Sequence, residues 1–149
     1  MKALIVYDSM YGNTEQIARA ISGAIGDTVK VLRAAEVNPA EIETIELLVI
    51  GSPTQGGRPT QAVRELLTKI PRGSLKGIKV AAFDTRFSTK FVGVFGYAAG
   101  RIATDLKSKG AILIVPPEGF FVTGTKGPVK AGELERAAGW VKEIVKSSG

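Results

Sequence analysis

The chain has 149 residues and holds neither cysteine nor histidine, which excludes disulfides, thiolate metal sites and imidazole catalysis. Apolar residues make up 44% and charged residues 23%, the balance of a soluble globular protein, and the length predicts a single domain over residues 1–149. The net charge is +6, and its excess lies in the second half: residues 1–74 hold eight basic and eight acidic side chains, and residues 75–149 hold twelve and six.

The distribution of charge and hydropathy also restricts the expected partners. The basic residues form no dense run and are not interleaved with aromatic residues in a recognisable motif, so we expect no nucleic-acid partner. No apolar run reaches membrane-spanning length, and no signal-peptide pattern precedes the first predicted strand. We therefore expect a cytoplasmic protein without a membrane span.

The first predicted elements are a strand over Lys2–Tyr7 and a helix that ends near Gly26, and a polar loop at residues 9–14 joins them. The loop reads SMYGNT, with one glycine, neutral hydrogen-bond donors and no Lys or Arg. Free backbone N–H groups and the positive end of the dipole at a helix start suit an anion. The loop therefore predicts a phosphate site. In the alternative, its Asn and Thr side chains only cap the helix.

Further strands are predicted where apolar and β-branched residues cluster between turn signals. They are Thr28–Leu32, Leu47–Ile50, Lys79–Phe83 and Ala111–Val115, followed by an extended stretch at Gly119–Val122. The run at Leu47–Ile50 has no polar alternation, which is typical of a strand covered on both faces.

Four more helices are predicted between and after these strands. Asn38 and Pro39 indicate the cap and first turn of a short helix, and Thr60 is predicted to cap the next one. The apolar residues of the last two helices recur at helical spacing. These residues are Phe91, Phe95, Ile102 and Leu106 in one helix, and Leu134, Ala137, Val141, Ile144 and Val145 in the other.

Strands and helices thus alternate five times, which predicts an α/β fold with a doubly wound, five-stranded parallel sheet and helices on both faces. With strand order 2-1-3-4-5, the loops after strands one, three and four meet at the carboxyl edge of the sheet, where such folds bind ligands. These loops are residues 9–14, 52–58 and 84–90.

At this point the sequence resembles the flavodoxin family. Residues 6–21 fit its signature at the anchored positions, which are two apolar residues, Ser, Gly, Thr, Ala and Ile. The resemblance implies a flavodoxin-like fold and FMN as the cofactor, with the FMN phosphate in the first loop. The implied phosphate-end residues are Ser9, Met10, Tyr11, Gly12, Asn13 and Thr14.

The resemblance also implies that the other two loops flank the flavin ring. The predicted ring-end contacts are Pro53, Thr54, Gln55, Gly56 and Gly57 in one loop, and Asp84, Thr85, Arg86, Phe87 and Phe91 in the other. Several roles stay open here. Phe87 and Phe91 are candidates for stacking on the ring, with the helix core as the alternative for Phe91. Asp84 either contacts the edge of the ring or caps the following turn.

Two departures from the family pattern affect the ring end. The loop at residues 52–58 lacks the aromatic residue that is usual in flavodoxins, and Trp140 is predicted to pack within the last helix. Flavodoxins are typically acidic, whereas this chain places Arg58, Arg86 and Lys90 in the loops around the ring. Positive charge favours the reduced flavin anion, so we expect a less reducing flavin than in an acidic flavodoxin.

The leading functional interpretation is an FMN-binding electron-transfer protein that passes electrons to a redox partner with an acidic docking face. In the alternative, the chain is an FMN-dependent oxidoreductase that acts on a quinone, NAD(P)H or protoporphyrinogen. A third interpretation is a flavin-free interaction domain, which the intact phosphate loop disfavours.

Overall fold

A computed structural model describes residues 2–26, 28–87 and 97–148, and its strands form a parallel sheet in the order 2-1-3-4-5. The strands are β1 (Ala3–Tyr7), β2 (Val29–Arg33), β3 (Leu47–Pro53), β4 (Lys79–Arg86), β5 (Ile112–Leu113) and β6 (Glu118–Phe121). The predicted fold class and strand order are confirmed. The fifth strand position is divided, because β5 and β6 both pair with β4.

The division of the fifth strand follows from two prolines. The predicted strand over Ala111–Val115 is wrong in length, since β5 holds two residues. Pro116 and Pro117 supply no backbone N–H to a ladder, so regular pairing stops before them. Pairing with β4 resumes at β6, where Phe83 of β4 stands opposite Glu118.

The helices are α1 (Asn13–Ile25), α2 (Gln61–Lys69), α3 (Ala98–Ser108) and α4 (Glu133–Ser148), with short 3-10 turns at Ala34–Glu36 and Pro39–Thr44. The predicted cap at Asn38 is confirmed, because its side chain accepts a hydrogen bond from the Ala40 N–H at 3.1 Å. The predicted stackers or core residues Phe91 and Phe95 lie outside the described residues. Among the described helices, none has both the length and the apolar character needed to cross a membrane.

The predicted side-chain cap at Thr60 is wrong. Thr60 occupies the position before α2, but its hydroxyl makes no capping hydrogen bond and is buried without a partner among the described residues. Its backbone N–H instead donates to the hydroxyl of Ser52 at 2.9 Å. The start of α2 is therefore fixed to the end of β3 through the backbone of Thr60.

Alternate residues of the central strands face two separate cores. In β1, Leu4 and Val6 pack on the side of α2 and α3, while Ile5 packs on the side of α1 and α4. All five residues of β1 are buried, as expected for a parallel strand covered on both faces. An edge-to-face cluster of Phe83, Phe120 and Trp140, with ring centroids 5.7–6.2 Å apart, closes the second core. The predicted packing role of Trp140 is therefore confirmed.

Both strands that lead into the site are longer than predicted. β3 continues from Ile50 to Pro53, and β4 continues from Phe83 to Arg86. The added residues pair with each other, with Ser52 opposite Asp84. Most of the added residues are polar or are turn formers such as Gly51 and Pro53, but each strand provides the other's ladder partners. Strand pairing therefore overrides the turn signals of the sequence.

We expect Gly51→Ala to lower the free energy of unfolding by about 1–3 kcal/mol, because overpacking a core costs roughly this much. A Cβ at Gly51 would overlap the ring of Phe83, which is fully buried. Urea unfolding of the purified variant measures the change.

Gly139→Ala is the matched control for this prediction. Gly139 lies in α4, where a Cβ would meet open space. This change is expected to raise stability by about 0.5–1 kcal/mol through helix propensity. Equal effects at the two glycines would contradict the packing argument.

Candidate functional site

The three predicted loops meet in one cleft at the carboxyl edge of the sheet. Its described lining consists of Ser9, Met10, Tyr11, Asn13, Thr14, Pro53, Thr54, Gln55, Thr85, Arg86, Phe87, Val122 and Thr125. Eleven of the sixteen predicted site residues are therefore brought together. Four others lie outside this lining: Gly12, Gly56, Gly57 and Asp84. Phe91, the remaining one, and Lys90 lie outside the described residues.

The loop at residues 9–14 is shaped by short side-chain hydrogen bonds to its own backbone. The Ser9 N–H donates to Asp8 Oδ1, and the Gly12 N–H donates to Ser9 Oγ, each at 2.9 Å. Gly12 precedes α1 with φ of 88°, a left-handed conformation that glycine adopts without steric cost. The chain thus turns sharply from β1 into α1, and Gly12 shapes the cleft without lining it.

Several hydrogen-bond donors of this turn have no acceptor in the part of the chain that the structure describes. The backbone N–H groups of Met10, Tyr11, Asn13 and Thr14 have no acceptor among the described residues. Asn13 and Thr14 begin α1, whose first-turn N–H groups lie beyond its helical hydrogen bonds. The hydroxyls of Thr14 and Thr85 lie 2.8 Å apart. One of them donates to the other, so one hydroxyl hydrogen remains available.

A tight turn at residues 55–58 follows β3 and places Gln55 in the wall of the cleft. Gln55 and Arg58 exchange two backbone hydrogen bonds of 2.9 and 3.0 Å. Gly56 and Gly57 have φ of 57° and 79°, the signs that a type I′ turn requires at both central positions. From α3, Arg101 Nε donates to the Gly57 carbonyl at 2.7 Å. The paired glycines are therefore needed for the shape of the turn.

Arg86 does not present a free charge to the cleft, contrary to the expectation for a cationic loop residue. It is the last residue of β4, and its Nε and Nη2 donate to the two carboxylate oxygens of Asp84 at 2.6 and 2.8 Å. Its guanidinium also stacks on the ring of Tyr97, 3.3 Å from the centroid. The physical reason is register: residues 84 and 86 lie on the same face of the extended strand.

Asp84 connects β4 with the start of α3. It is fully buried, and Oδ2 also accepts the Ala99 N–H at 2.9 Å. Burial raises the pKa of Asp84 above its ordinary value of 3.8, and the hydrogen bonds from Arg86 and Ala99 oppose this rise. Asp84 therefore caps a helix that begins fourteen residues later.

Thr54 also holds the start of α3. Its Oγ1 accepts the Ala98 N–H at 3.1 Å, and its backbone N–H donates to the Thr85 carbonyl at 3.0 Å. A predicted ring-end residue thus holds β4 and α3 together while it lines the cleft.

The structure adds a fourth wall that the sequence pattern did not predict. It comes from the segment after β6, where Val122 and Thr125 line the cleft. The Val122 N–H donates to the Arg86 carbonyl at 3.0 Å, and a Cβ at Gly127 would overlap the side chain of Asn13. The one available signal was the extended stretch at Gly119–Val122, which runs toward the same edge of the sheet.

Arg33, in the neighbouring strand β2, also escaped prediction. Its guanidinium donates to the Ser9 carbonyl at 3.4 Å and lies near the carboxylates of Asp8 and Glu15, at 3.8 and 3.4 Å. Its charge is shared with two carboxylates, so the role of Arg33 is to hold the backbone of the loop at residues 9–14 through the Ser9 carbonyl.

Comparison with known proteins agrees with this geometry. The sequence matches the flavodoxin family over residues 5–140. The chain belongs to the flavodoxin family. Flavodoxins bind FMN and transfer electrons. The family is the one that residues 6–21 resemble, and the fold is the one that the alternation of strands and helices predicts.

Three individual proteins illustrate how similar this flavodoxin chain is to known relatives and structures. It is 34% identical to diflavin flavoprotein A 5 of Nostoc sp. strain PCC 7120 over 99 residues, which is 62% of this chain but 15% of that protein. A flavodoxin from the domain Archaea aligns over 99% of both chains with a TM-score of 0.83 and 23% identity. Flavodoxin 2 of Bacillus cereus aligns over 98% of this chain and 99% of its own, with a TM-score of 0.83 and 22% identity.

We expect Arg86→Met to lower the free energy of unfolding by about 3–5 kcal/mol, because it leaves the buried Asp84 carboxylate without its cation. The double variant D84N/R86M is expected to recover part of this loss, since no charge is then left unpaired. Thermal and urea unfolding of the three proteins provide the comparison.

Arg19→Met is the control on the surface. Arg19 pairs with Glu15 at 3.0 Å, with 64% of its side chain exposed, so its removal is expected to cost less than about 1 kcal/mol. If Arg86→Met costs no more than Arg19→Met, the buried pair does not hold the site together.

Proposed function

We propose that this protein is an FMN-dependent electron carrier whose cofactor lies in the cleft, with the phosphate at residues 9–14. The proposal is supported above all by the donor set of that loop. Met10, Tyr11, Asn13 and Thr14 offer backbone N–H groups without acceptors among the described residues, and Ser9 keeps its hydroxyl hydrogen.

This donor set fits a phosphate monoester. The cleft has one cationic side chain in its described lining, Arg86, and its charge is matched by Asp84. Neutral donors and the N-terminus of α1 stabilise an anion through aligned N–H dipoles. The remaining hydroxyl hydrogen of the Thr14–Thr85 pair adds a donor at the base of the cleft.

The ring end is argued from the walls at residues 53–55 and 85–87. Pro53, Gln55 and Phe87 line this part of the cleft, and Phe87 is its aromatic candidate for stacking. Bound FMN supplies one- and two-electron chemistry, while the protein binds, orients and partly desolvates it. Gly56 and Gly57 contribute by shaping the turn that carries Gln55.

We further propose that the partner is a redox protein with an acidic docking face and that exchange takes place in the cytoplasm. The charge of the chain supports the first point, since its net +6 attracts a negatively charged surface.

A second candidate is turnover of a quinone or NAD(P)H at the same flavin. It is favoured by the absence of an aromatic residue from residues 52–58, which would leave one ring face less covered. The short alignment to a much longer diflavin flavoprotein is also compatible with this role. Saturable bleaching of the flavin by NADH or NADPH supports turnover, and no reaction at millimolar nucleotide supports the carrier.

We expect Thr14→Val to raise the dissociation constant for FMN about tenfold or more, the effect of one lost hydrogen bond to a charged group. Quenching of FMN fluorescence by the apoprotein measures this constant. Ser9→Ala is expected to act in the same direction.

Thr104→Val is the control for this measurement. The Thr104 hydroxyl donates within α3 to the Gly100 carbonyl, and the residue does not line the cleft. Its FMN affinity should equal that of the wild type. Unchanged FMN affinity in both Thr14→Val and Ser9→Ala would contradict the proposal that residues 9–14 bind the phosphate.

We expect Arg58→Gln to make the second reduction potential of the flavin more negative, because an exposed cation beside the ring-end turn favours the reduced anion. Arg58 carries this expectation because Arg86 is paired with Asp84. A spectroelectrochemical titration compares the variant with Lys142→Gln, which removes an exposed charge on α4. Equal potentials in the two variants would show that Arg58 does not tune the flavin.

A further inference from the structure

A groove separate from the cleft runs between α2 and α3. We call it the arginine groove, and its lining consists of Arg58, Pro59, Arg64, Leu67, Thr68, Arg101 and Asp105. Its three guanidinium groups come from three elements: the turn at residues 55–58, α2 and α3. They are far apart in sequence, and the fold brings them to one surface.

The arginine groove carries a net positive charge. Arg58 and Arg64 are exposed and form no ion pair with any described residue. The one acidic lining residue, Asp105, is bound to Lys109 at 2.6 Å, so its charge is already matched. Arg58 and Arg64 therefore offer two positive charges that no carboxylate of the described chain neutralises.

The groove and the cleft share one turn. Gln55 lines the cleft, whereas Arg58 at the other end of the same turn lines the groove. Arg101 lines the groove as well, and its Nε holds the Gly57 carbonyl at 2.7 Å. A molecule bound in the groove would thus lie directly beside the proposed ring end of the cleft.

The lining favours carboxylates spread over a protein surface rather than one phosphate group. Arg64 and Thr68 lie within α2, and Arg101 and Asp105 lie within α3, where backbone N–H groups are used in helical hydrogen bonds. A compact phosphate site usually adds free N–H groups at a helix start, as in the loop at residues 9–14. The exposed guanidinium groups of Arg58, in the turn, and Arg64, on α2, instead match separate carboxylates, each bound by its own fork.

We propose that the arginine groove is the docking surface for the acidic face of the redox partner. This inference rests on the proposed electron-carrier function and deepens it, since it locates the partner at the turn beside the flavin. Complementary charges chiefly raise the association rate and fix the orientation of two proteins, and salt weakens both effects.

Titration of the ¹⁵N-labelled, FMN-loaded protein with a ten-residue glutamate peptide at low ionic strength tests the surface directly. Shifts in the amide spectrum are expected at Gly57, Arg58, Arg64 and Arg101, and to disappear in high salt. In the double variant R58Q/R64Q, the affinity for the peptide is expected to fall about tenfold or more. Absent shifts, or shifts centred on residues 9–14, would overturn the proposal.

The double variant K142Q/K146Q is the matched control, because it removes two exposed positive charges from α4. It is expected to bind the glutamate peptide within about twofold of the wild type, since charges outside the groove contribute only screened, long-range attraction. An equal loss in both double variants would mean that net charge alone attracts the peptide, and this would overturn the groove as a site.

Stopped-flow oxidation of the reduced protein by an acidic and a basic c-type cytochrome extends the test to electron transfer. R58Q/R64Q is expected to slow the reaction with the acidic cytochrome about tenfold, with a weaker salt dependence. The more negative potential expected from Arg58→Gln would by itself speed this oxidation, so slowing reports on docking. Unchanged rates with the acidic cytochrome would overturn the docking role even if the peptide binds. Failure of the wild type to retain FMN would instead contradict the proposed function, and the peptide titration, repeated on the flavin-free protein, would still report on the groove.

Discussion

The paired charges of Asp84 and Arg86 are the contact on which the cleft depends. Asp84 is fully buried, so its carboxylate is stable only while Arg86 and the Ala99 N–H satisfy it. The same contact connects the end of β4 with the first turn of α3, and the Tyr97 ring lies against the guanidinium. Separate elements are thereby held at one edge of the sheet, where the cleft opens.

The pairing also determines the electrostatics of the cleft. Because the charge of Arg86 is matched by a carboxylate, the phosphate proposed to bind at residues 9–14 would be held by N–H and hydroxyl dipoles. The cations that form no ion pair with a described residue, Arg58 and Arg64, lie instead in the arginine groove. The molecule thus separates the donors proposed for its cofactor from the charges proposed for its partner.

Much of this arrangement is predictable from the sequence. The strand order and the loop at residues 9–14 follow from the alternation of apolar runs and from a local motif whose donors belong to adjacent residues. The pairing of Arg86 with Asp84, the wall at Val122 and the support from Arg33 depend on contacts between distant segments. The contact of Thr60 also depends on a distant segment. It stands where a side-chain cap is expected, but it bonds through its backbone N–H to the Ser52 hydroxyl.

The four-residue turn between Gln55 and Arg58 has a wider consequence. Its backbone is closed by two hydrogen bonds and held by Arg101, so it directly connects Gln55, which lines the cleft, with Arg58, which lines the groove. Two coupled binding equilibria affect each other reciprocally. A partner that prefers one oxidation state of the flavin would shift the flavin's potential on docking by the same free energy. In the proposed function, the choice of partner and the driving force of electron transfer are therefore linked at this turn.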